Sequence, residues 1–411
     1  MRQCLTERQR LFVRMAEELA EKFAPRAAGH DTDNTFPVEN YEDMRESGFL
    51  RLSVPGEFGG FGATQAEILP ALERLAMGDG ATALAVTMHI SPLGQWAAVW
   101  RRTGSEKVAE ILRLAGADKL VWASLGAEAG APNRMSDARS TAVKVDGGYL
   151  VNGRKTFGTN TAVATHCSTT ARLEDAEGGP RLMLFCVALD DPAVRIHPTW
   201  DVMGMRGTQS NDVEFADLFV PDDAVLHSLP VGHLDGHIVE TVFAWSMPAF
   251  GAVYTGVALG ALEWVKAQAA GRGRTTDPLV QNTIGECEIL VETSRSVLSR
   301  HAADYGSRAL FDQLSVQESL ARSAFAKYVC VNNAARVVDL LVEVAGGAGY
   351  SRRLPFERMW RDVRAGLIMP LSNQPARQLI GQTSFGIETA PTVAVAEPAP
   401  EPATGLSAVT G

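Results

Sequence analysis

The chain has 411 residues, 46% of them hydrophobic and 21% charged, a composition ordinary for a globular protein with room for two or three domains. Its net charge of −10 excludes a chain-wide basic field of the kind that binds nucleic acid. The five cysteines are odd in number and include no CxxC pair. This argues against a disulfide framework or a zinc site and indicates a reducing, cytoplasmic compartment.

The first stretch, residues 1–117, is predicted to form a helical domain. Leu11, Met15, Leu19 and Phe23 recur at a spacing of four residues along its first segment. Side chains four apart lie above one another on a helix, so this spacing predicts one apolar stripe that packs against the rest of the domain.

Capping residues mark the later helices of this domain. Pro37 suits the first turn of a second helix, and Gly48 is suited to end it. Thr64 follows the glycine-rich run VPGEFGGFG and is predicted to be the N-cap of a third helix. Two long helices are therefore expected at about 65–79 and 80–102.

Residues 118–225 are predicted to form an antiparallel β-barrel or sandwich. DGG and NG turn signals separate short runs rich in β-branched and aromatic residues, namely KLVWASL, TAVKVDGGYLVNGRKTF, HCSTTAR, PRLMLFCVAL and NDVEFADLFV. The sequence has no βαβ alternation and no GxGxxG after a strand. A Rossmann nucleotide site is therefore not expected.

Residues 226–388 are predicted to form a four-helix bundle, because long helical patterns with short links occur at 236–270, 279–304 and 315–345. The uncharged run Val242–Leu262 has the length of a membrane span, but Pro248 and three glycines dilute its hydrophobicity. It is therefore predicted to be a buried bundle helix, with no membrane span in the protein. The Pro/Ala-rich residues 389–411 are predicted to be a disordered tail.

Several common catalytic arrangements are missing from the sequence. His233 and His237 are four residues apart, but no acid or cysteine completes a zinc site with them, so no metal is expected. There is no GxSxG elbow and no P-loop. Their absence argues against serine hydrolases and P-loop NTPases.

Four longer motifs follow one another along this plan: VPGEFGGFG at 54–62, GRKTFGTN at 153–160, WDVMGMRGTQSNDVEFADLFVP at 200–221 and VAGGAGYSRRLPFERMWRDVRAG at 344–366. In this order and spacing they resemble the acyl-CoA dehydrogenase family over about residues 5–383. The resemblance implies an α+β fold with an N-terminal helical domain, a middle β domain and a C-terminal bundle. It also implies FAD between the β domain and the bundle, and a homotetramer or homodimer whose neighbouring subunits complete each FAD site.

The resemblance assigns five residues to the flavin ring. Trp122, Ser124 and Leu125, in VWASLGAEAG, fall where family members line the ring, although the Pro-Gly of the family loop is missing here. Phe157 takes the position of an aromatic residue that lies against the flavin. Thr159 takes that of a hydroxyl that bonds the ring near N5.

The resemblance also assigns a second group to the FAD diphosphate of a neighbouring subunit. Arg274, in GRGRTTDPLVQ, matches the arginine that reaches the diphosphate, and Gln281 is its companion. An arginine suits this role because its guanidinium forms charge-assisted, bidentate bonds with phosphate. Gly346, Gly347 and Gly349 match the turn where the diphosphate passes close to the backbone, an approach that glycine permits. The loop residues Arg206 and Thr208 are interpreted as structural.

The family's dehydrogenation depends on a carboxylate that this sequence lacks at the usual position. Removal of the α-proton of an acyl thioester needs a base and donors to the developing enolate oxygen. Counting from Arg361 places Pro370 at the base position, and Ser372 takes the usual threonine position at the cofactor. Proline has neither a carboxylate nor a backbone N–H. Glu240, on the first bundle helix, is the alternative catalytic base.

The sequence predicts the first of three functions, and the other two remain open as alternatives. The first is an acyl thioester dehydrogenase with Glu240 or another base, acting on a substrate carried by coenzyme A or acyl carrier protein and passing electrons to a protein partner. The second is a monooxygenase of the same fold, in which flavin and oxygen replace the protein base. The third is a flavin- or acyl-binding paralogue without turnover.

Overall fold

The computed structural model describes residues 3–130 and 136–393, which form a helical domain, a β domain and a helical bundle in chain order. This arrangement confirms the predicted α+β fold class. The first domain contains five helices: α1 Glu7–Asp33, α2 Val38–Ser47, α3 Gln65–Gly78, α4 Gly80–Thr103 and α5 Glu106–Gly116.

Capping chemistry sets the helix ends in this domain, as the sequence indicated. Thr64 forms a capping box with Glu67 at the start of α3, so two otherwise unpaired backbone N–H groups are satisfied. Gly48 ends α2 with a φ of +80°, a conformation that glycine adopts without steric cost.

The predicted apolar stripe of α1 is partly wrong. Leu11 is 42% exposed, whereas its neighbour Phe12 is fully buried together with Leu19 and Phe23. Adjacent helical residues point about 100° apart, so a pattern read one residue early selects the wrong edge of the packed face.

The middle domain is one eight-stranded sheet in the order β6-β7-β3-β2-β4-β5-β8, with β1 paired to β4. Its strands are β1 Trp122–Leu125, β2 Thr141–Val145, β3 Gly148–Gly158, β4 His166–Leu173, β5 Arg181–Ala188, β6 Val194–His197, β7 Asn211–Pro221 and β8 Val225–Pro230. The prediction of an antiparallel sheet needs one correction, because β4 pairs in parallel with both β1 and β2. Turn signals identified the hairpins, but these two pairings join segments that no tight turn connects.

The C-terminal part begins with β9 Leu234–Asp235 and α6 Gly236–Ile238, which continues through a π-helical turn, Val239–Phe243, into α7. The remaining elements are α7 Ala244–Gly271, α8 Pro278–Gly306, α9 Ala309–Asp312, α10 Val316–Ala345, α11 Phe356–Ala365, α12 Asn373–Ser384 and β10 Thr392–Val393. The predicted disordered tail began at residue 389, but β10 pairs in parallel with β9. Residues 394–411 of that tail lie outside the described residues.

Helix α7 is the central helix of the bundle. Among the described residues, one helical stretch, Gly236–Gly271, is long and apolar enough to cross a membrane, yet 83% of its most apolar window is buried inside the protein. The glycines have a packing reason, because a Cβ on Gly256 would lie 2.1 Å from the Glu73 carbonyl oxygen of α3. This close approach of backbones confirms the prediction of a buried bundle helix.

An ion pair buried between α3 and α8 generates a stability prediction. Arg295 donates hydrogen bonds to both carboxylate oxygens of Glu73, with Nη2–Oε1 at 2.7 Å and Nε–Oε2 at 3.0 Å. We expect Arg295→Met to lower the free energy of unfolding by about 3–5 kcal/mol, because the Glu73 carboxylate stays buried without its main partner. Urea unfolding followed by circular dichroism measures this loss.

The double variant Glu73→Leu/Arg295→Met should recover most of the loss, since neither charge then remains buried. Arg300→Met is the matched control on the same helix, because Arg300 pairs with Asp304 at the exposed surface. Equal effects of Arg295→Met and Arg300→Met would contradict the role given to the buried pair.

Candidate functional site

The end of strand β3 holds an aromatic side chain outside the core. Phe157 is 56% exposed, and its backbone is left-handed with a φ of +57°. Such a backbone is rare for a large side chain and is typical of functional sites. The β3–β7 register shifts between Lys155 and Gly158, which allows the turn. The Trp200 ring meets Phe157 edge-on at 5.9 Å between centroids, so the two rings form one apolar surface.

The residues after Phe157 are fixed by the neighbouring domains. Asn160 is buried, and its side-chain oxygen accepts a hydrogen bond from the Tyr41 hydroxyl of α2. Its amide group donates a hydrogen bond of 2.8 Å to the Trp122 carbonyl of β1. Because both polar ends of Asn160 are satisfied, this side chain joins the helical domain to the sheet just beyond the strand end.

A second set of hydrogen bonds joins the strand end to the bundle. Thr159 Oγ1 lies 2.7 Å from Ser210 Oγ, and Ser210 lies 2.8 Å from Thr208 Oγ1. The loop that carries these residues is tied to α11, because the Met205 N–H donates to Asp362 at 2.5 Å. Burial raises the pKa of Asp362 to about 6. Thr208 thus has the structural role expected from the sequence.

The three residues predicted on β1 differ in what they can offer a ligand. Trp122 and Leu125 are almost completely buried, and the Trp122 ring packs against Trp96 at 6.2 Å between centroids. Because they are three residues apart on a strand, the two side chains point to opposite faces, and each is buried in its own hydrophobic cluster. Their contact with a flavin ring stays a prediction. Ser124 is half-buried between them, so its hydroxyl and the strand backbone are the groups that a bound ring can meet.

The predicted diphosphate-binding residues lie at one end of the bundle. Arg274 pairs with Asp277 at 3.0 Å. The Gln281 side-chain amide donates a hydrogen bond of 2.9 Å to the Thr275 carbonyl, in the loop before α8. Arg336 pairs with Glu286 at 3.2 Å, and His301 lies 3.1 Å from Ser323, so α8 and α10 run antiparallel and the start of α8 adjoins the end of α10. Contact of these side chains with a neighbouring subunit's flavin stays a prediction.

The glycine turn after α10 contains two kinds of glycine. Gly346 has a φ of +57°, and an added Cβ at Gly346 or Gly347 meets no atom within 4 Å. Gly349 is buried instead, and its Cβ would lie 3.1 Å from the Phe356 ring. Packing explains Gly349, so only Gly346 and Gly347 leave open backbone that a phosphate can approach.

A buried lysine forms hydrogen bonds with the backbone on both sides of Pro370. Lys327 Nζ on α10 donates to the carbonyls of Met369 and Leu371, both at 2.9 Å. Pro370 itself is exposed, and Ser372 follows as the N-cap of α12. The sequence from residue 365 to 376 contains no acid, so a proline stands where the resemblance predicts a base.

Glu240, the alternative base, lies in the π-helical turn before α7. Its Oε1 accepts a hydrogen bond from Arg308 at 2.8 Å, and the carboxylate side chain is only 4% exposed. Its Oε2 is buried and finds no hydrogen-bond donor among the described residues. π-Helical turns are frequent at functional sites, and an open carboxylate oxygen is able to accept a proton or bind a donor.

Three residues that contribute to this geometry were missed by sequence reasoning. Ser210, Lys327 and Arg308 each act through a partner more than forty residues away along the chain. A local signal existed only for Lys327, which is a single cation in the apolar stretch AFAKYVCV. A lysine on the buried stripe of a helix requires a partner, and that requirement points to a functional or structural contact.

Three family models match the chain. They describe the N-terminal, middle and C-terminal domains of acyl-CoA dehydrogenase and match residues 6–112, 125–218 and 237–384. The chain belongs to the acyl-CoA dehydrogenase family. The resemblance stated from the motifs is thereby confirmed.

Relatives in this family carry different activities. The putative acyl-CoA dehydrogenase YdbM of Bacillus subtilis is 29% identical over 373 residues, which are 89% of this chain and 94% of YdbM. The amino sugar nitrososynthase DnmZ of Streptomyces peucetius is 31% identical over 371 residues, 86% of this chain and 88% of DnmZ. The X-ray structure of KijD3 in complex with FMN and dTDP-3-amino-2,3,6-trideoxy-4-keto-3-methyl-D-glucose has a TM-score of 0.84 and 27% identity, covering 94% of this chain and 95% of KijD3.

This acyl-CoA dehydrogenase-family protein is an oxidoreductase of a flavin-binding fold. Its strand end fits a flavin, because an exposed aromatic ring in a strained backbone conformation stands next to a buried hydroxyl. The ring of Phe157 suits the flat face of an isoalloxazine, and Thr159 suits a hydrogen-bonding nitrogen at its edge.

The exposure of Phe157 predicts a binding defect without a folding defect. Phe157→Ala should lower flavin affinity about tenfold, or ~1.4 kcal/mol, because the aromatic contact with the ring is lost. Titration of flavin fluorescence measures the affinity. Phe219→Ala is the matched control, since Phe219 is 49% exposed on the neighbouring strand β7. Unchanged affinity in Phe157→Ala would remove this side chain from the site.

Burial lowers the pKa of Lys327 to about 8, from an ordinary value of 10.5. At a pH between these two pKa values, Lys327 is protonated in the unfolded chain and has lost its proton in the folded chain. The free energy of unfolding therefore rises with pH in this range. From pH 7.5 to 9.5 we expect the free energy of unfolding of the wild type to rise relative to Lys327→Met, on the order of 1–2 kcal/mol.

Urea unfolding at the two pH values measures this difference. Lys22→Met serves as the control, because Lys22 is half exposed on α1. The assignment of a proton loss to Lys327 is wrong if wild type and Lys327→Met change in parallel.

Proposed function

We propose that the protein is a flavin-dependent oxygenase that acts on an amine, with a nucleotide-linked amino sugar as the substrate class. One observation carries the proposal: no carboxylate lies between residues 365 and 376, where the resemblance predicts the family's base at Pro370, and Lys327 fixes the backbone on both sides of that proline. The similarity to DnmZ and to the KijD3 complex supports the substrate class.

An amine oxygenation does not need a carboxylate that removes a carbon-bound proton. One atom of O2 enters an N–H bond, and the other leaves as water with two electrons and two protons from reduced flavin. The amine nitrogen supplies its own lone pair as the nucleophile. An exposed proline in place of glutamate therefore costs this reaction nothing, whereas it removes the base and an N–H donor from thioester dehydrogenation.

The chain's own residues bind and orient in this proposal. Phe157 would pack against the flavin ring, and Thr159 would lie at its N5 edge. Arg274 and Gln281 would hold the diphosphate of FAD in a neighbouring subunit, with Gly346 and Gly347 beside it. These contacts require a homodimer or homotetramer, which we also propose.

A second candidate, α,β-dehydrogenation of an acyl thioester with electrons passed to a protein partner, is favoured by Glu240. Its buried Oε2 has no donor among the described residues, so it is free to accept a proton. The similarity to YdbM supports this candidate too. Arg308 opposes it, because its guanidinium, at 2.8 Å, already occupies the other carboxylate oxygen, Oε1.

Anaerobic mixing with a panel of acyl-CoA thioesters separates the two functions. We expect the absorbance of the bound flavin to stay unchanged, because no base removes the α-proton. In air, a supply of reduced flavin and dTDP-3-amino sugar should give oxygen uptake that depends on the sugar.

Bleaching by any acyl-CoA would contradict the proposal. Loss of that bleaching in Glu240→Gln would then establish Glu240 as the base and α,β-dehydrogenation as the function. The control is Glu263→Gln, a carboxylate exposed near the other end of the same helix, which should behave like the wild type in both assays.

A further inference from the structure

Three buried hydroxyl groups stand in a line between the β3 end and the loop before β7. Thr159 Oγ1 and Ser210 Oγ are 2.7 Å apart, and Ser210 Oγ and Thr208 Oγ1 are 2.8 Å apart. The line ends at the Met205 carbonyl oxygen, 2.9 Å from Thr208 Oγ1. All three side chains are at most 7% exposed, so their hydrogen bonds are made within the protein.

The carbonyl at the end of the line fixes the direction of every hydrogen bond in it. A carbonyl oxygen has no proton, so Thr208 donates its hydroxyl proton to Met205. Thr208 has one proton only, and therefore accepts from Ser210. Ser210 donates its only hydroxyl proton to Thr208, so it accepts a hydrogen bond from Thr159.

Thr159 donates its only hydroxyl proton to Ser210 and therefore has none to donate to a ligand. The Phe157 carbonyl lies 3.4 Å from Thr159 Oγ1, beyond the usual range of an O–H···O bond, so Ser210 at 2.7 Å is the better acceptor. The remaining lone pair of Thr159 Oγ1 is then the group that a neighbouring ring atom meets.

We propose that Ser210 is a positioning residue that turns Thr159 into a hydrogen-bond acceptor and thereby makes the site selective for reduced flavin. Nitrogen N5 carries a hydrogen in reduced flavin and a lone pair in oxidised flavin. An acceptor opposite N5 bonds the first form and faces the second with like charge density. This inference rests on the proposed function only in placing Thr159 at N5.

Selection of the reduced form suits an oxygenase. The flavin has to stay reduced in the site until oxygen arrives, and a preference for that form raises its occupancy by mass action. Two-electron reduction also becomes easier in the site than in variants whose Thr159 is free to donate.

The experiment compares the midpoint potential of bound FAD, and separately of bound FMN, in the full-length wild type and in Ser210→Ala. Without Ser210 the Thr159 proton is free to turn toward N5 of oxidised flavin. Affinity for oxidised flavin should rise about tenfold with the affinity for reduced flavin nearly unchanged, which lowers the two-electron potential by about 30 mV. Fluorescence titration in air and anaerobic titration give the two affinities.

Thr208→Val tests the same line from its other end and covers the case in which Ser210→Ala fails to fold. It frees the Ser210 proton, so the potential should fall in the same direction. Ser53→Ala is the control, because Ser53 is a buried hydroxyl that donates to Ile90 at a distant place in the fold.

Two results would overturn the proposal: potentials equal to the wild type in both variants, or a loss of affinity for both flavin forms to the same extent, as a merely loosened site would give. Neither result depends on which substrate reacts. Failure of the oxygenase proposal would appear as bleaching by acyl-CoA, so the two failures are distinguishable.

Discussion

Buried hydrogen bonds at the junction of the three domains fix the end of strand β3, and the whole candidate site depends on them. Asn160 is bonded to Tyr41 of the helical domain and to the backbone of β1. Asp362 of the bundle holds the loop at Met205, which in turn carries the hydroxyls next to the strand. A rigid support of this kind allows Phe157 to stay exposed in a strained backbone conformation.

Buried hydrogen bonds also fix the backbone around Pro370. Lys327 donates to two backbone carbonyls, one on each side of the proline, and so fixes the shape of a segment that has no ionisable side chain of its own. In a dehydrogenase this wall of the site must supply a base and a donor for the enolate oxygen. In the proposed oxygenase this segment has to supply shape alone, because the flavin and oxygen perform the chemistry.

Local chemistry made most of the fold predictable from the sequence. Helix caps such as Gly48 and Thr64 act within four residues, and the turn signals between strands are equally local. The predicted stripe on α1 went wrong at Leu11 because a short pattern does not decide between two adjacent faces of a helix. The bundle helix α7 was identified correctly because its glycines allow α3 to approach, as small residues in an apolar helix indicate.

The site was less predictable, because its defining contacts join residues that are distant in sequence. Ser210 reaches Thr159 across 51 residues, and Lys327 reaches Leu371 across 44. The motif order located Phe157 and Thr159 correctly at a strand end, but no local pattern shows that the Thr159 hydroxyl is hydrogen-bonded to Ser210. Burial of Trp122 likewise follows from the pairing of β1 with β4, which the sequence does not display.

Isotope labelling tests the central claim, that oxygen rather than a protein base performs the chemistry, most directly. The protein is supplied with reduced flavin, a dTDP-linked 3-amino sugar and ¹⁸O2, and the sugar is analysed by mass spectrometry. The account predicts ¹⁸O on the sugar nitrogen and no label from H2¹⁸O. An unlabelled sugar, together with conversion of an acyl-CoA to its α,β-unsaturated product under anaerobic conditions, would contradict it.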